Sequence, residues 1–390
     1  MGAYLAFKEL WRNKGRFLLV SMVIALITML VLFVAGLAEG LGLGNIEYLS
    51  KLNADLLVYQ KDTELSIAAS RIGLSRLNDI RRVDGVKAVG PLAFHRVTIV
   101  FGPAVLGITR RPLDVTMIRV EPGQPGEPPV VSGEQLKNTR GKEAIIDRNV
   151  AVRTGFGVGD VFTVKVIQGT KEQFYPLKVV GVTDGRQYSI QPSIIVPYLT
   201  GEEIRPKSEA EFGPRADLDC NVLAVQLVNP SERNLMKQRL ETLVSGIEAV
   251  DIPTAYQATP GYAAQQGTLN TQRYFALLIG VLVLGGFFQI QTLQKVPQIG
   301  VLKAIGVSNL TIASASILQI VMVTCLGVFM GGALTLMLSL ALPPVVPISF
   351  SGSAVGLALG SLLVIGPLGG LVSVRYSLRV EPLVALGLNQ

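Results

Sequence analysis

The side chains best suited to chemistry are scarce in this 390-residue chain, which has one histidine, His95, and two cysteines, Cys220 and Cys325. A lone histidine cannot supply His-Glu-x-x-His or a histidine-based metal cluster, and two distant cysteines make neither a zinc site nor a disulfide framework. A Ser-His-Asp triad around His95 would need a nucleophile motif, and none accompanies it, so His95 reads as a surface or edge-strand residue. No G-x-x-x-x-G-K-[ST] occurs, so the chain does not itself cradle a nucleotide phosphate in such a loop. What remains is a different kind of segment. Lys295–Asn309, "KVPQIGVLKAIGVSN", lies between two long apolar runs and spaces Ile299, Leu302, Ala304 and Ile305 as one face of a short amphipathic helix.

The elements that position that segment are membrane helices. Hydrophobic residues make up 49% of the chain and charged ones 16%, and the mean hydropathy is +0.46, which is unusual for a soluble protein. Phe17 to Ala38, Tyr274 to Gln294 and the whole of Ala304 to Val374 contain no Asp, Glu, Lys, Arg or His. With about 20 apolar residues needed per helix, these runs predict four spans, near 17–39, 273–294, 311–341 and 352–373. The prolines of "PPVVPISFSG" (Pro343–Gly352) separate the last two as a short outer loop, 342–351. The basic start and the small residues of "AGLA" in the first run resemble a signal peptide, but its length favours an uncleaved anchor.

Lys8, Arg12, Lys14, Arg16, Lys295, Lys303, Arg375 and Arg379 all fall on one side of a four-span arrangement. That side is cytoplasmic by the positive-inside rule. Both termini are then cytoplasmic and the region between the first two spans lies outside. The expected organisation is a cytoplasmic amphipathic helix at 1–16, first span and stalk at 17–43, an extracytoplasmic domain at 44–257, and stalk and second span at 258–294. A cytoplasmic helix at 295–310, the third span at 311–341, the fourth at 352–374 and a tail at 375–390 complete it. The net charge of +7 is spread over both sides with acidic residues interspersed outside, and no basic stripe with interleaved aromatics suggests nucleic-acid binding.

The outer region reads as α+β. "ADLLVYQ", a helical stretch over Ala69–Val83 spaced by Ile72, Leu77 and Ile80, and "KAVGPLAFHRVTIV" make one β-α-β unit. "VLAVQLV", a helix after Asn229 or Ser231 with Leu235, Leu240 and Leu243 on one face, and "IEAVDIP" make a second. Between them, alternation at Phe162, Val164 and Val166 and at Leu177 and Val179 predicts a β-rich insert. The flanking "EGLGLGNIEYLSKL" and "TPGYAAQQGTLNTQRYF" extend the first two spans as helices.

The spans lack interior charges, which argues against a proton or ion relay. Glu39, at the outer end of the first span, reads as a solvated helix-end carboxylate or a substrate contact. Gly327 with Gly331, and Gly356 with Gly360, have the spacing that lets helix backbones approach closely.

Three stretches together resemble one family, the FtsX-like, MacB-type permeases of ABC transporters: "LAFKELWRNKGRFLL" (Leu5–Leu19), the segment at 295–309, and "RYSLRVEPLVALG" (Arg375–Gly387). The family pattern R-R-x-E-I-G-[IV]-L-[RK]-A-[LI]-G is met here by Ile299, Gly300, Val301, Leu302, Lys303, Ala304, Ile305 and Gly306. Gln298 and Pro297 replace its usual charged residues. The resemblance implies a homodimeric permease whose coupling helix, Gln298 to Gly306, seats in a separate cytoplasmic ATPase. ATP and magnesium would then be bound by that partner and no cofactor by this chain. It implies mechanical transmission through stalk helices to the outer domain, and it allows a periplasmic adaptor. "AGLAEGLGLGNIEYLSKLNADLLVY" (Ala35–Tyr59) is similar to haem-exporter permeases of the HrtB type and to DevC-like exporters, which makes Glu39 and Tyr48 candidate substrate contacts. An alternative within the resemblance is a signalling subunit that, like FtsX proper, activates a cell-wall hydrolase.

Overall fold

The computed structural model describes residues 14–101, 111–208, 218–259, 261–342, 346, 348–350, 352 and 355–364. They divide into two units: Gly42–Gln265, and Met1–Leu41 with Gln266–Gln390.

In the Gly42–Gln265 unit, period-two alternation sets the layers. Strand β1 (Leu56–Gln60) turns Leu56 and Val58 to one side and Leu57 and Tyr59 to the other, and all four are buried. On the first side Leu56 and Val58 meet Leu77 and Ile80 of helix α2 (Leu74–Arg81) and Met236 and Leu240 of helix α5 (Arg233–Leu243). β1 lies between β12 (Ile247–Asp251) and β11 (Val222–Leu227), and β11 pairs the first half of β3 (Val86–Val100), all antiparallel. The order β12-β1-β11-β3 is that of the split β-α-β arrangement, so the two expected units interlock in one sheet.

Two local expectations change. Ile72 and Gly73 form a short strand, β2, and α2 begins only at Leu74. In α5 the buried residues are Met236 and Leu240, whereas Leu235 and Leu243 are exposed. At 100° per residue, an i, i+4 pair shares a face that Leu235 does not reach.

The β-rich part is larger than an insert. The second half of β3 pairs β4 (Leu113–Val120), β4 pairs β9 (Ser193–Pro197), and β9 pairs β6 (Glu143–Asp147). β6 pairs β8 (Lys171–Thr183), β8 pairs β7 (Val161–Gln168), and β7 returns to β3 at Thr98–Val100. These pairings close a six-stranded ring. Its interior holds Phe162, Val164, Val166, Leu177 and Val179, as the alternation predicts, together with Ile99, Met117 and Ile146. β5 (Val130–Gly133) extends the sheet from β8, and β10 (Asp219–Cys220) pairs β2. Helices α3 (Arg148–Thr154) and α4 (Tyr198–Ile204) follow β6 and β9. Asp147 joins two of the barrel strands to α3: it caps the helix through Val150 N (2.7 Å) and accepts from Ser193 N of β9 (3.1 Å). Burial pushes its carboxyl up to about 6. A short helix, α6 (Ile252–Gln257), follows β12.

Among the described residues of the second unit, three helices are long and apolar enough to cross a membrane. Helix α1 (Lys14–Ser50) contributes Phe17–Gly42, α7 (Tyr262–Ala304) contributes Tyr262–Ile290, and α8 (Asn309–Ala341) is apolar throughout. Helix α9 (Val355–Val364) covers part of the expected fourth span, whose remaining residues from 365 onward lie outside the described residues. Most of the expected amphipathic helix at 1–16 and all of the tail at 375–390 lie outside them too.

Gly327 and Gly331 of α8 face α1 within this unit. A Cβ at Gly327 would stand 2.5 Å from Ile24 Cβ, and one at Gly331 would stand 2.5 Å from Ala25 O and from Thr28 Cβ. Gly356 and Gly360 of α9 have open space around them. Gly331→Val therefore destabilises the chain by about 1–3 kcal/mol through overpacking, whereas Gly356→Val leaves its unfolding temperature unchanged; thermal unfolding in detergent checks both.

Candidate functional site

The segment at 295–310 ends a helix; it is not a separate one. α7 continues unbroken through Pro297 to Ala304, which corrects the boundary expected at 294/295. Proline removes one ladder donor, but the flanking turns carry the helix through. The helix stops at Gly306, where φ is +91°, and Val307 N donates to Leu302 O (3.0 Å) while Gly306 N donates to Lys303 O (3.0 Å). This pair of bonds is a Schellman cap, with glycine at the left-handed position. Ser308 then caps α8, its hydroxyl accepting from Thr311 N (3.3 Å). Ile299 and Gly300 are buried and Leu302 and Lys303 half-buried, while Gln298, Val301, Ala304, Ile305 and Gly306 are exposed. Ile305 is 74% exposed and Leu310 82%. The turn thus presents a row of apolar side chains that no described residue of this chain covers.

A second constellation lies in the other unit, at the end of α1. Tyr48 N donates to Gln187 O (2.9 Å), and Ile190 N donates to Gly44 O (2.9 Å). The donor and acceptor of one helical rung, Tyr48 and Gly44, are therefore both bonded to a loop far along the chain. Ser189 N adds a bond to Asn45 O (3.2 Å). Around this bridge, Lys51 Nζ pairs Glu47 Oε1 (2.8 Å) and Asp184 Oδ2 (3.1 Å), and Arg186 Nε pairs Asp184 Oδ1 (2.7 Å). Burial raises the Asp184 carboxyl, but Arg186 and Lys51 together hold it below its ordinary value.

The two expected substrate contacts part company here. Glu39 is half-buried in α1. Tyr48 is fully buried: its hydroxyl donates to Gly126 O (2.7 Å), its ring stands edge-on to Phe94 (5.7 Å), and burial drives its pKa far up. Its side chain is committed to the core, which corrects the reading of Tyr48 as a ligand contact. His95 is half-buried in β3, opposite Met117. Cys220 is buried and Cys325 exposed, both as free thiols. Among the described residues no cluster of three or more His, Cys, Asp or Glu could hold a metal ion.

Residues 274–382 match the family model of the FtsX-like permease C-terminal domain. Over 98% of this chain and 99% of the relative, the sequence is 28% identical to a Staphylococcus haemolyticus protein provisionally named hemin transport system permease protein HrtB. A Staphylococcus epidermidis protein with the same provisional name is 25% identical over 99% of both chains. The chain is thus similar to these permeases along nearly its whole length and to the FtsX-like permease domain in its C-terminal part. Two solved structures also align with the chain. The extracellular domain of the noncanonic ABC-type transporter YknZ from Gram-positive bacteria is 16% identical, with a TM-score of 0.36, covering 51% of this chain and 100% of that one. The periplasmic region of MacB from Actinobacillus actinomycetemcomitans is 13% identical, with a TM-score of 0.35, covering 54% and 95%.

Sequence reasoning missed the bridge at the end of α1, since Lys51 and Arg186 are 135 positions apart. The local signals were the Glu47–Lys51 spacing of i, i+4 and the turn-rich "DGRQYS". A group whose folded pKa is lowered contributes stability above its unfolded pKa and loses it as pH falls. Acidification from about pH 5 to about pH 3 therefore removes more thermal stability from the wild-type protein than from Asp184→Asn; melting curves at both pH values check this.

Proposed function

We propose that this chain is the permease subunit of an exporter, in which a separate cytoplasmic ATPase drives a conformational change that expels a hydrophobic or amphipathic substrate. The observation that carries the reading is the uncovered apolar turn, with Val301, Ile305 and Leu310 exposed between two capped helices. A partner seated on it would bury those side chains against a rigid end, because the Schellman cap and the Ser308 cap fix the turn on both sides. In this reading both termini and the turn are cytoplasmic and the Gly42–Gln265 unit is outside. In this reading the permease works as a homodimer. An adaptor outside the cell is compatible with the reading and not required by it.

Transmission in this proposal runs through α1 and α7, the two chain connections between the units, each helical throughout its length. Spans without interior Asp, Glu, Lys or Arg support mechanical relay over an ion pathway. The substrate we favour is haem, from the name of the HrtB relatives that match nearly the whole chain.

Ile305→Asp places a charge on an exposed residue and leaves the helices intact. We expect it to reduce permease-stimulated ATP hydrolysis at least tenfold in reconstituted complex, and normal stimulation would overturn the assignment of the turn. Deletion of the gene, followed by challenge with haem, antibiotics and peptides, tests the cargo: sensitivity to haem is expected, and indifference removes haem as substrate.

A further inference from the structure

β3 has an interrupted edge. Its pairing with β11 ends at Leu92 and its pairing with β7 begins at Thr98, so Ala93 to Val97 have a strand neighbour only on the β4 side. A cleft of about 300 Å³ opens there, lined by Phe94, His95, Arg96, Thr116, Tyr188 and Ser189 among others. That volume lies at the lower end of the range for small-molecule sites. Its wall is aromatic: the Phe94 and Tyr188 rings lie 4.6 Å apart at 37°, and Tyr48 of α1 backs Phe94 edge-on. Among the described residues no acidic side chain lines the cleft. Arg96 is exposed, and no ion pair joins it to a described carboxylate.

The rim is under backbone strain. Ser189 and Ile190 have φ of 53° and 63°, a region disfavoured for L-residues and above all for β-branched ones. Folding alone would favour glycine or asparagine at such positions. The conformation is held by the bonds from Ser189 N and Ile190 N to the carbonyls of Asn45 and Gly44. Strain of this kind concentrates at ligand clamps and switch regions, and here it joins the cleft's aromatic wall to the last turns of α1.

We propose that this cleft binds a flat apolar ring system bearing an anionic group, with the ring against Phe94 and Tyr188 and the anion on the Arg96 guanidinium. Aromatic faces select flat apolar surface, and a guanidinium without a carboxylate partner selects an anion. The inference rests on the exporter reading only where it takes this ligand as cargo; binding itself does not depend on that reading.

The test uses the full chain in detergent and two fluorescent probes with one ring system, anilinonaphthalene sulfonate and its neutral counterpart phenylnaphthylamine. Arg96→Gln is expected to weaken binding of the sulfonate about tenfold, the scale of one lost charge-assisted bond, and to leave phenylnaphthylamine binding unchanged. Tyr188→Leu weakens both several-fold. Arg96 is exposed, so its substitution leaves the fold intact and keeps the test decisive if Tyr188→Leu fails to fold. Unchanged sulfonate affinity in Arg96→Gln overturns the proposal, as does equal loss of both probes. Neither probe involves ATP or haem. A chain that binds the sulfonate through Arg96 while its deletion leaves haem tolerance unchanged keeps the cleft and loses the haem assignment.

Discussion

The Gly42–Gln265 unit depends on one strand serving two structures. β3 is fifteen residues long, well beyond the five or six of an ordinary strand, and its two halves belong to different cores. Val89 lies under α2 and α5, whereas Val97 and Ile99 point into the barrel. A strand in this position cannot slip by one residue without turning both sets of side chains inside out, so the sheet and the barrel fix each other's register. The same division explains the break in its edge. β11 serves the sheet and β7 serves the barrel, and neither pairs Ala93 to Val97. The cleft is thus a consequence of joining two β structures through a single strand.

A second constraint acts where α1 meets this framework. Helix ends normally satisfy their carbonyls with a cap or with water, and here the Tyr48 amide and the Gly44 carbonyl of α1 bond to the loop at Gln187–Ile190. Backbone bonds of this kind tie a helix to a loop, because the groups that make them have little rotational freedom to lose. The ion pairs of Glu47, Lys51, Asp184 and Arg186 are partly exposed and so contribute modestly on their own. They surround the bridge and keep the loop in register with it.

Much of this was legible in the sequence because the governing patterns are local. A bilayer demands long uncharged runs, and Phe17–Ala38 and Ala304–Val374 display them directly. Period-two alternation at Phe162, Val164 and Val166 announced strands that face a core. What sequence could not supply was pairing over long distances: the barrel closes through β3 with β7, and the α1 bridge joins residues more than a hundred positions apart. Tyr48 was misjudged for the same reason. Its neighbours Phe94 and Gly126 come from other strands and turns, so nothing near it in the chain announced its burial. In α5, leucines at 235 and 243 suggested the buried face, but the stripe followed Met236 and Leu240. Helical phase put Leu235 off the covered face, whereas Leu243 shares the phase of Met236 and is exposed at the last residue of the helix.

The proline at 297 was expected within a separate helix at 295–310 and lies instead in the interior of α7. A proline removes a hydrogen bond and crowds the carbonyl one turn back, which in water would tend to end the helix. Only one ladder donor is lost at Pro297, whereas ending the helix there would leave several backbone groups of the flanking turns without helical partners. Continuity therefore wins, and the apolar turn at Val301, Ile305 and Leu310 becomes the end of the same rod that begins at Tyr262. A docking surface on a separate helix could swivel on its linker without moving anything else. One that terminates a single 43-residue helix cannot tilt without carrying that helix with it, which is what the proposed transmission requires of α7.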